Sequence, residues 1–87
     1  MKNSNGTSSG FDLENIRVGA TIRQMREMRG MTQEQLAQAA MLSRPFVANV
    51  EAGRKKASAK AIARIADALR VPQISLVAIA EDQQAAA

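Results

Sequence analysis

The 87-residue sequence contains no cysteine and no histidine, and these two absences exclude several kinds of site. Without cysteine, the chain forms no disulfide and offers no thiolate nucleophile. Without histidine as well, the usual zinc ligands and the Ser-His-Asp and Cys-His nucleophile pairs are missing. The sequence therefore predicts neither a metal site nor a cofactor site, and it gives no support to an enzyme.

Aromatic residues and long apolar runs are also scarce. Only Phe11 and Phe46 are aromatic, whereas proteins that bind single-stranded nucleic acid stack the bases on several aromatic side chains. No run approaches the roughly 18 apolar residues of a membrane span, and the first residues lack the apolar core of a signal peptide. We expect no membrane partner and a cytoplasmic, nucleoid-associated location, which the absence of cysteine also fits.

Positive charge is concentrated in the middle of the chain. Between residues 17 and 70 there are eleven basic and four acidic residues, a net charge of +7, whereas the whole chain carries +4. A basic block with more neutral ends is typical of a surface that binds a polyanion. Charge alone fits a solvated surface equally well, so a motif must decide between the two interpretations.

Two short helical patterns meet within residues 32–51. Thr32 is suited to cap the first helix, with Gln35 placed to complete a capping box, and Ser43 is suited to cap the second. Pro45 fits the first turn of a helix, which tolerates a residue without an N–H donor. Two short helices joined by a tight turn form a helix-turn-helix unit, which places its second helix in the major groove of DNA.

One further helix is predicted before this unit. It begins at Asp12 or Asn15 and runs to about Arg29, where Gly30 ends it. We expect its buried side to contain Leu13, Ile16, Ile22 and Met25.

Two helices are predicted after the unit. Ser58 caps a fourth helix that ends near Leu69, and a fifth begins at Pro72 or Gln73. The fourth buries Ala61, Ile62, Ile65, Ala66 and Leu69. The fifth is apolar on more than one face, although a last helix needs only one apolar stripe to dock. The excess predicts a dimer interface, unless packing against the fourth helix absorbs it, and the candidate interface residues are Ile74, Val77, Ala78 and Ile79.

The sequence therefore predicts an all-α domain over residues 12–80. Residues 1–11 are polar and rich in glycine and serine without any period, so we expect a disordered N-terminal arm. Residues 81–87 are expected to form a frayed tail.

From about residue 16 to residue 76, the sequence resembles the Cro/CI-type (XRE-like) helix-turn-helix family of bacterial, phage and plasmid regulators. This resemblance implies a five-helix, lambda-repressor-like DNA-binding domain. The sequence departs from the family pattern at Met41, because the family usually has glycine at this position in the turn. A positive φ at Met41 costs about 1 kcal/mol or more relative to glycine. The matching residues are Ile22, Arg23, Arg26, the stretch 31–37, Leu42, Ser43, Val47, the stretch 50–54, Ser58 and the stretch 65–72.

The second helix of the unit is the candidate recognition helix. If it enters the major groove by its N-terminal end, the side opposite Val47 and Val50 faces the base edges. Arg44 is the strongest candidate for a base contact, because guanidinium matches the O6 and N7 acceptors of guanine. Asn49 suits either adenine or a phosphate, and Phe46 is expected to pack at the edge of the core. The predicted base-contacting residues are Ser43, Arg44, Pro45, Ala48 and Asn49.

Contacts to the DNA backbone are predicted on either side of that helix. Thr32 lies at a helix start, whose N–H groups and dipole attract anions, and the resemblance implies a phosphate contact for Gln33. The resemblance also implies a structural ion pair between Arg26 and Glu51 beneath the motif. Three consecutive cations after the recognition helix suit phosphate binding but carry no base specificity, and they are Arg54, Lys55 and Lys56.

These features predict a transcription regulator that binds specific double-stranded DNA. Its simplest form is a homodimeric (auto)repressor on an inverted-repeat operator, controlled by its own concentration as in phage, plasmid or restriction-control circuits. Two alternatives stay open at this stage. One is the DNA-binding antitoxin of a toxin–antitoxin pair, and the other is a protein-interaction adaptor that keeps the fold without binding DNA. The sequence does not define a protein partner such as a toxin or RNA polymerase.

Overall fold

The computed structural model describes residues 12–77, and all regular structure in that range is helical. The predicted arm (1–11) and tail (81–87) lie outside the described residues, as do the predicted interface residues Ala78 and Ile79. Within the described range, the predicted all-α, five-helix architecture is confirmed. The helices are α1 (Leu13–Met28), α2 (Gln33–Ala40), α3 (Arg44–Glu51), α4 (Ala59–Leu69) and α5 (Ile74–Val77).

Polar side chains define where the first four helices begin. At α2, the Thr32 hydroxyl accepts from the Gln35 backbone N–H at 3.0 Å, and the Gln35 amide oxygen accepts from the Thr32 N–H at 2.8 Å. This reciprocal pair confirms the predicted capping box. The other caps are single side-chain acceptors at Asp12, Ser43 and Ser58. The N-cap of α1 is therefore Asp12 and not Asn15.

The hydrophobic core lies among α1, α2, α3 and α4, and α5 closes onto α1. The predicted inner face of α4 is confirmed, because all five of its assigned residues are buried. Leu76 is the residue through which α5 reaches the core, with no exposed surface. The fully buried large side chains are Ile22, Leu36, Val47, Val50, Ile65, Leu69 and Leu76.

The prediction of which residues α1 buries is wrong in the first turn of the helix. Leu13 is 70% exposed and Ile16 is 39% exposed. Ile22 is buried and Met25 is partly buried, as predicted. The close contact between α1 and α3 lies instead at Gly19, where a Cβ atom would overlap the Val50 carbonyl oxygen. The first turn of α1 therefore lies at the edge of the core, where Ile16 packs against Gly53 and Leu13 is exposed.

Met41, which stands where the family usually has glycine, lies in the turn between α2 and α3. Met41 adopts the left-handed conformation, with φ 58° and ψ 44°. Its N–H donates to the Gln38 carbonyl oxygen, and the Leu42 N–H donates to the Ala37 carbonyl oxygen at 2.8 Å. The backbone thus keeps the geometry that glycine supplies most cheaply, and the Met41 side chain stays 72% exposed.

Candidate nucleic-acid interface

The outward side of α3 carries the predicted base-contacting residues. Val47 and Val50 are buried and fix this helix to the core. The Ser43 hydroxyl accepts from the Phe46 N–H at 3.1 Å and so anchors the N-terminal end. Phe46 packs partly buried against the core, as predicted. On the opposite side, Ser43, Arg44 and Pro45 are exposed, and Ala48 and Asn49 are partly exposed.

Beneath α3, the predicted partners Arg26 and Glu51 contact each other through two hydrogen bonds. The Arg26 Nε donates to Glu51 Oε2 at 2.7 Å, and its Nη2 donates to Oε1 at 3.1 Å. The remaining Nη1 donates to the Met31 carbonyl oxygen at 2.7 Å. The hydrogen bond to Glu51 raises the pKa of Arg26, so the guanidinium stays charged. Both side chains are buried, so this contact fixes α1 against the end of α3.

Gln33 connects this buried pair to the surface of α3. Its Nε2 donates to Glu51 Oε1 at 3.0 Å, and its Oε1 accepts from Arg44 Nη1 at 3.2 Å. The predicted phosphate contact at Gln33 is not tested by this geometry. The bridge itself was not predicted, because neither the helical period nor the capping pattern relates Gln33 to residues 11 and 18 positions away.

Three cations follow α3 in the loop before α4. Arg54, Lys55 and Lys56 are exposed, and none of them forms an ion pair with another residue in the range 12–77. The Lys55 ammonium lies 5.8 Å from the centre of the Phe46 ring, which holds it near the N-terminal part of α3. The Arg54 N–H donates to the Asn49 carbonyl oxygen at 3.0 Å, which ties the loop to α3.

The charge of this surface is positive. From residue 44 to residue 56 there are four cations and one acid, Glu51. Arg26 neutralises that acid beneath the surface. Thr32 is exposed at the start of α2, where the N–H groups of the first turn add positive potential. The arrangement can therefore bind an extended anion along one side of the molecule.

The described residues offer little to other kinds of function. No group of three His, Cys, Asp or Glu side chains within 12–77 is placed to hold a metal ion. No helix in the same range has the length and apolar character needed to cross a membrane.

The surface of α5 retains exposed apolar side chains. Ile74 is 62% exposed and Val77 is 44% exposed, while Leu76 between them is buried. Two of the four predicted interface residues are thus on the surface and available for contact.

Comparison with protein families gives a match over most of the chain. A model described as a helix-turn-helix domain matches residues 17–78. Two HTH-type transcriptional regulators, from two strains of Mycobacterium tuberculosis, are 42% identical to the chain over 53 residues. That alignment covers 61% of the chain, and the chain spans only 38% of the length of these relatives.

Solved structures with the same fold include two regulators. The restriction-modification controller protein C.AhdI from Aeromonas hydrophila is 31% identical, with a TM-score of 0.72 over 74% of this chain and 97% of that chain. The clp gene regulator ClgR from Corynebacterium glutamicum is 27% identical, with a TM-score of 0.69 over 84% of this chain and 92% of that chain.

Proposed function

The chain belongs to the helix-turn-helix family of DNA-binding transcription regulators, and we propose that it acts as a homodimeric repressor of specific operators. Proteins of this family are regulators and not enzymes. A cytoplasmic location at the nucleoid is part of the proposal, because that is where operators are.

The observation that carries the proposal is the exposure of Arg44 at the N-terminal end of α3. Its guanidinium is anchored on one side by Gln33, which leaves other N–H groups to donate to a base edge. A bidentate contact to guanine O6 and N7 is the contact that suits this side chain. Pro45 and Ala48 add apolar surface, for instance to a thymine methyl group, and Ser43 and Asn49 add polar groups.

Phosphate contacts on both flanks would hold α3 in the groove. Thr32 and Gln33 lie at the start of α2, where backbone N–H groups favour an anion. Arg54, Lys55 and Lys56 would bind phosphates on the other side without regard to base sequence. Their exposure and the lack of ion pairs in the described range support this role.

A dimer supplies the specificity that one unit lacks. A single recognition helix contacts only a few base pairs, whereas a two-fold dimer places two such helices about 34 Å apart on an inverted repeat. The exposed Ile74 and Val77 support an interface that includes α5. We place Ala78 and Ile79 in the same interface from the sequence pattern.

We propose that repression is by occupancy. A dimer seated on a promoter excludes RNA polymerase from the same DNA, and binding near its own gene makes the protein regulate its own concentration. Activation would need a further contact with polymerase, for which no described residue is assigned.

The direct experiment is a mobility-shift titration on the DNA upstream of the protein's own gene. A scrambled duplex of the same length and composition serves as the control. We expect a Kd of about 10⁻⁸ M for the upstream DNA at physiological salt, and binding at least about 1,000-fold weaker to the control. Equal affinity for both duplexes would contradict operator recognition. Absence of binding to either would favour the adaptor alternative.

A further inference from the structure

A polar recess of about 260 Å³ opens beside α3, between that helix, α1 and the start of α2. It lies next to the outward side of α3, because Ala48 from that side forms part of its wall. Its lining residues are Arg23, Arg26, Gln33, Ala48, Glu51 and Ala52.

Two of the charged residues that line this recess, Arg26 and Glu51, are already paired with each other. Glu51 uses both of its carboxylate oxygens to accept from Arg26, and one of them also accepts from Gln33. Arg26 uses its third nitrogen for the Met31 carbonyl oxygen. The buried pair is therefore neutral as a unit, and the remaining charged residue of the lining is Arg23.

The side chain of Arg23 is hydrogen-bonded only to Glu27, on the next turn of the same helix, among the described residues. Its Nε donates to Glu27 Oε2 at 3.2 Å, and both side chains are more than half exposed. The two terminal nitrogens of Arg23 have no hydrogen-bond acceptor within the described range. Exposed pairs at this spacing are weak, so the contact is easily exchanged for another anion.

The position of Glu27 shows what kind of group the recess edge accepts. The same carboxylate oxygen that accepts from Arg23 also lies 4.0 Å from Arg26 Nη2. An anionic oxygen thus already sits between two guanidinium groups. Gly19, one turn before Arg23, packs against the backbone carbonyl groups at the end of α3, so this part of α1 lies close to that end of the helix.

We propose that Arg23 binds a DNA phosphate at this recess and that Glu27 competes with the phosphate for it. The inference rests on the proposed DNA binding and adds a backbone contact on α1, with an internal acid that lowers affinity. A phosphate oxygen fits because it replaces the carboxylate oxygen with the same charge, and the start of α2 at Gln33 adds partial positive charge.

The test is a titration of wild type and variants on operator and scrambled duplexes over a range of salt. Arg23→Ala should weaken binding to both duplexes by a similar factor, about 5- to 10-fold. It should also reduce the slope of log K against log salt by about 0.9 for each protomer, or about 1.8 for the dimer, because each copy loses one phosphate contact. Arg23→Lys should recover the slope, because a lysine still neutralises one phosphate. Arg29→Ala is the matched control, an exposed arginine directly after the same helix that does not line the recess.

Glu27→Gln tests the competition. It should tighten binding to both duplexes about 2- to 5-fold, and the double variant Glu27→Gln/Arg23→Ala should bind as Arg23→Ala alone does. If Glu27→Gln tightens binding equally when Arg23 is absent, its carboxylate acts only through long-range repulsion and the competition is refuted.

The failures of the two proposals are distinguishable. If the wild type binds no duplex, the proposed function fails. If the wild type binds DNA and Arg23→Ala matches Arg29→Ala in affinity and salt slope, only the phosphate site at the recess fails.

Discussion

Glu51 is the residue that joins three helices. Its carboxylate accepts hydrogen bonds from Arg26 on α1 and Gln33 on α2 while itself ending α3. A buried carboxylate is costly unless it is paired and hydrogen-bonded. Its two oxygens share three hydrogen bonds, and no buried side-chain nitrogen or oxygen in the described part of the chain lacks a partner. The family resemblance implied the pair with Arg26, but only tertiary packing revealed the bridge through Gln33 to Arg44.

Breaking this pair should destabilise the domain strongly. We expect Arg26→Ala to lower the free energy of unfolding by about 3–5 kcal/mol, because it leaves the Glu51 carboxylate buried without its counter-ion. Equilibrium unfolding in urea measures the change. Arg29→Ala, at an exposed position, should change stability by less than about 1 kcal/mol.

The double variant Arg26→Met/Glu51→Leu separates the cost of an unpaired charge from the value of the pair. It should recover most of the lost stability, because apolar residues of similar size replace both charges. A small loss in Arg26→Ala, or no recovery in the double variant, would contradict this account of the pair.

At the scale of elements, the residues that begin each helix were easier to predict from the sequence than the residues that each helix buries. Thr32, Ser43 and Ser58 cap helices through local contacts that a sequence pattern contains. The inner face of α4 was also predictable, since neighbouring helices cover it along its length. Leu13 was assigned to the core wrongly, because the apolar period of a long helix does not show which of its turns lies at the edge of the core.

The turn between α2 and α3 gives a prediction at the same scale. Met41→Gly should raise the free energy of unfolding by about 0.5–1 kcal/mol, because glycine relieves the left-handed strain and loses some of that gain to its freer unfolded chain. Urea unfolding measures the difference. Ala39→Gly, at an exposed position inside α2, is the control and should destabilise by about 1 kcal/mol. A destabilised Met41→Gly variant would show that the Met41 side chain contributes more than its conformation costs.

The whole molecule has two surfaces for which we propose separate tasks. The outward side of α3 and the cations after it are proposed to bind DNA. The exposed residues of α5 are proposed to join two copies, so that two recognition helices reach one operator. The exposure of the predicted base-contacting positions follows from the period of α3, whereas the recess that includes Arg23 depends on how α1 packs against α3.

Dimer formation is tested by size-exclusion chromatography with light scattering. The wild type should be a dimer at micromolar concentration, and Ile74→Asp should be a monomer, because the aspartate would have to be desolvated in the interface. Met28→Asp is the matched control, since Met28 is an exposed apolar residue on a different helix. A monomeric wild type at high micromolar concentration, or a dimeric Ile74→Asp variant, would contradict an interface at α5.

The base preference of Arg44→Ala tests directly whether α3 reads DNA through its outward side. The affinities of wild type and variant are measured on operator duplexes with every base pair changed in turn, and Lys56→Ala serves as the control for a backbone contact. We expect Arg44→Ala to lose about 1–3 kcal/mol of discrimination at one position in each half-site and Lys56→Ala to weaken all duplexes equally. Unchanged affinity and preference in Arg44→Ala would show that α3 does not bind DNA through its outward side.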